Sequence, residues 1–273
     1  MTSFGDKFKL TLITNDPVLA ATADRCGVNR VGVDLEYLGK TERQQGHDTR
    51  FSNHQIKDVA RIGRCISKAK LFVRLNPINA KTSIEIEEVL HSGANVLMLP
   101  FFRTPQEVEK FVRLVDGRAH LVILLETASA LVRVREILAI PGLQEVMVGL
   151  NDLRIELAVN NHFEVLASSI VDTIAWEANR AGLAFSVGGV ARPDDQSLSI
   201  DPNLVLAQYP RLGATGAWIS RSFFHGMPSD WDFEQSVLFL RKRLTEWSET
   251  SPELREEARK KLADMASEMA RQT

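Results

Sequence analysis

Cysteine is scarce in this chain. Cys26 and Cys65 are the only two among 273 residues, and their spacing matches no metal motif. An excess of charge of one sign is lacking as well. Lys and Arg number 33 against 35 Asp and Glu, a net charge of −2. That removes any bulk electrostatic case for nucleic acid or a membrane as partner. No apolar run approaches the roughly 20 residues that cross a bilayer, and no secretory leader opens the sequence. A reducing cytoplasm is the simplest setting for so little cysteine. What the chain does have is 44% hydrophobic residues, in a length that suits one large domain. Barrels of alternating strands and helices reach about 250 residues as a single unit.

The rest of the chain is arranged around residues 122–153. An apolar run, 121–125, ends in Glu126. Leu131, Val134, Ile137 and Leu138 follow at helical spacing until Pro141-Gly142 stops the helix. A second apolar run, 146–148, ends in Gly149-Leu-Asn-Asp152. In a parallel sheet, strand ends lie side by side on one rim, where α/β enzymes do their chemistry. Glu126 and Asp152 are therefore the candidate ligands of a shared divalent cation. Either acid alone is equally explained as a residue favoured at the start of a helix. The pair, delivered by one strand–helix–strand unit, favours the metal.

Similar units precede and follow. Residues 8–14 read as a strand, and Asp16-Pro17 starts a helix through Cys26. Residues 31–33 form a strand that empties into Asp34-Leu-Glu36-Tyr37, and 39–50 form a polar loop over the rim containing His47. Ser52-x-x-Gln55, Thr82-x-x-Glu85 and Thr104-Pro105-x-Glu107 predict three helix starts, the last two following strands at 71–73 and 96–99. A long helix is predicted over 163–180, a strand at 184–187, a helix at 202–212, a strand at 217–220 and a helix at 231–247. Eight strands alternating with helices imply parallel pairing through right-handed crossovers, closed as a (β/α)8 TIM barrel. An open dinucleotide-binding sheet would need a glycine-rich first turn, and Thr14-Asn-Asp-Pro17 is not one. The barrel is assigned to residues 1–249 and a C-terminal helical extension to 250–273. Leu254, Ala258, Leu262, Met265 and Met269 give that extension an apolar stripe, which must bury on a neighbouring subunit or on its own barrel.

Glu126-Thr127, the Ile-Leu-Ala-Ile-Pro-Gly run and Val148-Gly-Leu-Asn-Asp-Leu153 resemble the HpcH/HpaI aldolase and citrate lyase β-subunit family of the pyruvate and phosphoenolpyruvate TIM-barrel superfamily. The resemblance implies that Glu126 and Asp152 bind Mg²⁺, or Mn²⁺ or Co²⁺ in its place. It implies that Asp34 stands near the metal, holding a coordinated water. It also implies that Arg74 binds the oxygens of a 2-oxo acid, for which a guanidinium fork is well shaped, with Asn151 and Asp152 beside it. Two positions depart from the pattern. The family usually carries a histidine base after Asp-x-Glu, and this chain has Tyr37, a poor base near neutral pH. Where the family has a polar side chain touching substrate, this chain has Leu124. His47, and after it His91, are the substitutes for the base. Arg192 and Arg221 are candidates for a distal anionic group of the substrate.

The expected activity is that of a divalent-metal carbon–carbon lyase of the aldolase type, acting on a 2-oxo acid through a pyruvate-like enolate. A citrate lyase or malyl-CoA type thioester lyase, or a catalytically silent homologue serving as a binding subunit, are the alternatives. A C-terminal helix that crosses between subunits in the superfamily implies a homo-oligomer, a trimer or hexamer.

Overall fold

The computed structural model describes residues 2–40, 53–226 and 232–272. Its described residues form a closed barrel of eight parallel strands in sequence order. These are β1 (Lys9–Ile13), β2 (Arg30–Asp34), β3 (Lys70–Arg74), β4 (Val96–Leu99), β5 (His120–Leu125), β6 (Glu145–Val148), β7 (Ala184–Val190) and β8 (Gly216–Ile219). β8 closes on β1, with Leu10 opposite Ala217. The alternation predicted a TIM barrel, and that is the fold.

Strand alternation with a period of two sorts the barrel interior into tiers. Phe72, Val96, Met98, Val122, Leu124 and Met147 form an apolar cluster of their own, with Ile13 and Trp218 packed against it. The larger core lies between the strands and the surrounding helices. Two residues toward the N-terminal end from Met147 is Glu145, and Arg30 shares this lower tier. Their side chains meet in a buried fork, Nη1–Oε1 3.0 Å and Nη2–Oε2 2.6 Å. Ser186 Oγ donates to Glu145 at 2.8 Å, and His120 Nε2 lies 3.3 Å away. Two residues beyond Leu124 and Met147, in the opposite direction, are Glu126 and Gly149. The upper tier is thus the predicted rim.

The helix starts at Asp16 and Thr104 are as predicted, each with its side-chain cap, and Pro17 and Pro105 begin their helices. Other boundaries differ for local reasons. Ser52 lies outside the described residues, and the helix Ile56–Gly63 is capped by Asp58 accepting the Gln55 N–H. Glu85 does not close a box on Thr82 but binds Asn76. The single helix expected over 163–180 is two, His162–Leu166 and Ser169–Arg180, because Asn161 and Glu164 cap the first and Ser168 turns extended between them. The helix expected over 202–212 breaks at Ala207, three residues before Pro210, which cannot donate a backbone bond. A short helix, Phe4–Lys7, was not anticipated; Ser3 and Asp6 cap it.

Helices Phe233–Glu249 and Pro252–Gln272 follow the barrel. Ala258, Leu262 and Ala266 of the terminal helix are buried against the chain's own barrel. Asn161 Nδ2 donates to Ala266 O and Arg259 Nη1 to Ala167 O. Met265 and Met269 are partly covered by the same core, and only Leu254, 50% exposed, is left out. Most of the stripe is thus buried within the chain itself, the second of the two placements that the sequence left open.

Burial alone pushes the Glu145 carboxyl up, but the bonds from His120, Arg30 and Ser186 outweigh it and hold it at about 2, against an ordinary 4.5. A depressed folded-state value means that this carboxylate's stabilisation is complete above pH 4.5 and is lost as the pH falls toward 2. Glu145→Gln leaves Arg30 buried without its counter-charge and is expected to cost about 3–5 kcal/mol at pH 7. Urea denaturation measures it, and the variant should also lose stability less steeply below pH 4.5 than the parent. Equal stability of parent and variant would show that the fork contributes nothing.

Candidate active site

Asp34 ends β2 and Arg74 ends β3, and the register pairs them directly. Arg74 Nε donates to Asp34 Oδ1 at 2.7 Å and Nη2 to Oδ2 at 2.6 Å. Arg74 Nη1 lies 3.3 Å from Glu36 Oε2. Lys40 Nζ, also buried, is 3.3 Å from Asp34 and 3.4 Å from Glu36. Burial on its own raises the Asp34 carboxyl, but Arg74 and then Lys40 reverse this and hold it well below the usual carboxylate range. Burial opposes the Arg74 charge, and the facing Asp34 and Glu36, with Glu126 beyond them, more than restore it. The Arg74 guanidinium lies over the Trp218 ring, 5.1 Å from its centroid.

The segment after β2 is anchored from β3. Asn76 Oδ1 accepts from the Tyr37 and Leu38 amides at 3.0 and 3.1 Å, and its Nδ2 donates to Glu85 at 2.8 Å. Tyr37 itself is 67% exposed. A phenol turned to solvent does not occupy the role of the absent histidine.

Across the mouth, Glu126 follows β5 and Asp152 sits in the first turn of the helix Leu150–Glu156 after β6. They are 2% and 7% exposed. The Phe101 amide donates to Glu126 Oε1 at 3.0 Å. Gly149 makes room for the other oxygen, because a Cβ built there would stand 2.4 Å from Glu126 Oε2. Asn151 Oδ1 accepts from Arg154 at 3.1 Å.

Two carboxylates on adjacent strand ends fit a hard divalent cation, since Mg²⁺ is typically held by one or two carboxylates with water and substrate completing its shell. Among the described residues no group of three or more His, Cys, Asp or Glu is arranged around one point. A cation here would rely on Glu126 and Asp152.

The other expected residues divide. His47 lies outside the described residues. His91 ends the helix Thr82–His91, which runs back from the rim, so it lies exposed at the opposite end of the barrel and cannot serve as the base. Arg192 is buried and tied to His225 O at 3.1 Å, with Asp194 and Asp195 at 3.9 and 3.8 Å. It joins the loops after β7 and β8 rather than facing an open rim. Arg221 is exposed at the start of a 3₁₀ turn, Arg221–Phe224. Leu124 is buried in the apolar tier, directly below the acids. One rim residue escaped the sequence reading: His54, whose Nδ1 accepts the Asp34 amide at 3.0 Å. It stands 20 residues along the chain from Asp34, and no spacing rule links the two. Two surface clefts, one lined by Arg135, Pro141 and Arg180 and one by Arg64, Lys68 and His91, lie at the far end of the barrel, away from Glu126, Asp152 and the Arg74–Asp34 fork.

A (β/α)8 barrel with an Arg–Asp fork on one side of its mouth and two buried carboxylates on the other has the architecture of an α/β enzyme whose charged groups gather at the C-terminal strand ends. More particularly, residues 10–196 match the family model for HpcH/HpaI aldolase/citrate lyase, and the chain belongs to that family. It is a family of lyases and aldolases, which supports an enzyme of that general type. Solved structures share the fold. A family protein from Burkholderia cenocepacia aligns at 17% identity with a TM-score of 0.63, over 79% of this chain and 88% of that one. The protein CitE from Mycobacterium tuberculosis, in complex with magnesium and acetate, aligns at 15% and 0.61, over 94% and 99%. The citrate lyase β subunit from M. tuberculosis, complexed with oxaloacetate and magnesium, aligns at 15% and 0.57, over 88% and 98%. No curated protein matches the sequence.

If Gly149 is the cradle of Glu126, Gly149→Ala must displace that carboxylate. The expected results are faster hydrogen exchange at the Phe101 amide, read by NMR, and a stability loss of about 1–3 kcal/mol from overpacking. Unchanged protection at Phe101 would refute the cradle.

Proposed function

We propose that this chain is a divalent-metal-dependent carbon–carbon lyase of the aldolase type, acting on a 2-oxo acid through a pyruvate-like enolate. The single observation that carries the reading is the pair of buried carboxylates, Glu126 and Asp152, at neighbouring strand ends opposite the Arg74–Asp34 fork. Glu126 and Asp152 would hold the cation, Mg²⁺ or in its place Mn²⁺ or Co²⁺. The cation, when bound, supplies positive charge beside the keto oxygen and so acidifies the adjacent carbon.

The remaining steps belong to the chain. Arg74 orients the substrate's oxygens, but with Nε and Nη2 committed to Asp34 it does so through Nη1, which it shares with Glu36 3.3 Å away, not through a free two-pronged fork. Asp34 fixes that guanidinium, and Asn151 and Asp152 border the substrate on the other side. The apolar tier containing Leu124 and Met98 keeps water from below the reacting atoms. His47 remains the base assigned from sequence. A cytoplasmic homo-oligomer, trimer or hexamer, fits the reading; Leu238 and Phe239, exposed on the helix Phe233–Glu249, offer apolar surface for it. A thioester lyase and a catalytically silent homologue serving as a binding subunit are the alternatives; Leu124, standing where the family's substrate contact is polar, favours the silent homologue.

Two measurements test this. Glu126→Gln or Asp152→Asn should abolish stoichiometric Mg²⁺ binding by calorimetry while the fold persists. The parent protein should wash deuterium into the methyl group of pyruvate in a metal-dependent way, and Arg74→Ala should slow this by about 10²-fold or more. Metal binding that survives both carboxamide variants would defeat the site. A metal-loaded protein that exchanges no short 2-oxo acid would turn the choice to the thioester lyase or the silent homologue.

A further inference from the structure

The histidine missing at position 37 has a counterpart reaching the end of β2 from elsewhere. His54 Nδ1 accepts a hydrogen bond from the Asp34 backbone amide at 3.0 Å. A backbone amide can only donate, so Nδ1 must present its lone pair, and in the neutral ring the proton then sits on Nε2. The ring is half-buried. Its titratable and charged neighbours are Asp34, Asp58, Arg74 and Lys40, and burial, the largest influence, opposes its charged form. A second proton on Nδ1 would set one N–H against another and break the bond that holds the end of the strand.

A ring in this state is no base, because its one lone pair is already taken. What it has to offer is Nε2–H. We propose that His54 is a fixed-tautomer, neutral hydrogen-bond donor at the barrel mouth, whose Nε2–H binds an oxygen of the substrate on which negative charge develops. The proposal rests on the lyase reading above. It pairs a neutral donor with the charged Nη1 of Arg74, both referred to Asp34: one through its backbone amide, the other through its carboxylate. Preorganised donors of this kind stabilise charge without reorienting as it develops. No proton changes hands, so the ring needs no reprotonation between turnovers. The base lost at position 37 is therefore not replaced by His54, and must be another group.

The test is nitrogen-15 NMR of histidine-labelled protein at pH 7 with Mg²⁺, with and without oxalate, a planar analogue of the pyruvate enolate. Calorimetry follows oxalate binding in parallel. His54 signals are assigned by their loss in His54→Asn, whose Oδ1 can still accept from Asp34, or in His54→Gln. The expected results are an Nε2–H tautomer in the free protein and displacement of its signals by oxalate. His54→Asn should weaken oxalate binding by roughly tenfold or more, and His54→Gln, whose amide reaches nearer to the Nε2 position, should recover part of it. An Nδ1–H tautomer or an imidazolium overturns the proposal. So does oxalate binding that leaves His54 signals and His54→Asn affinity unchanged, and in that case the lyase reading stands. Failure of oxalate to bind at all removes the lyase reading and the donor role together. If a variant does not fold, the tautomer and the oxalate-induced shift in the parent still decide.

Discussion

Arg74 and Asp34 are register partners on neighbouring strands, and their side chains close a two-pronged ion pair inside the barrel mouth. The geometry of that half of the rim depends on it. Glu36 and Lys40 complete a buried quartet of two acids and two bases. Asn76 fixes the Tyr37 and Leu38 amides from one side, and His54 fixes the Asp34 amide from the other. Removing ions from water costs several kcal/mol each, recovered only where geometry and hydrogen bonding are good. Such a quartet is a poor source of stability. Its consequence is orientation: Arg74 cannot swing, and the one nitrogen not bonded to Asp34, Nη1, is shared with Glu36.

Strand alternation is the constraint beneath that arrangement. A period of two, repeated on eight strands, stacks Arg30 and Glu145 at the bottom, an apolar tier in the middle, and the acids and Arg74 on top. The charged upper tier rests on Leu124, Met98, Met147 and Trp218 rather than on water. In such surroundings electrostatic interactions are stronger than in solvent, and so is the penalty for an unpaired charge. Leu124 therefore has a plain structural role as floor, whatever substrate contact it has given up.

Sequence patterning made the barrel legible, because each strand is a short apolar run and several helices announce themselves with caps such as Asp16 and Thr104. The positions of Asp34, Arg74, Glu126 and Asp152 followed from strand ends alone. Three things did not. The split at Ser168 turns on one extended residue and that near Ala207 on the missing N–H of Pro210, neither of which periodicity resolves. The commitment of the Arg74 fork depends on cross-strand register between β2 and β3, which no local motif encodes. His54 reaches Asp34 from 20 residues further along the chain, and His91, a candidate from sequence, is excluded only once the direction of its helix relative to the barrel is known.

The family's departures and its retained residues fall on different parts of the barrel. The carboxylate pair belongs to β5 and β6, the Arg–Asp fork to β2 and β3, and the base to the segment after β2. In this architecture each strand end contributes its group separately, so one can change while the others stay. Position 37 shows how: Asn76 holds the Tyr37 and Leu38 amides, not their side chains, so the backbone there is fixed whatever residue stands at 37. A histidine could be lost at that position without disturbing Asp34. On the proposed lyase reading, binding of a 2-oxo acid and removal of its proton would then be separable in this fold. The residues which that reading assigns to binding are present in this chain even though the residue that would move the proton is not where the family keeps it.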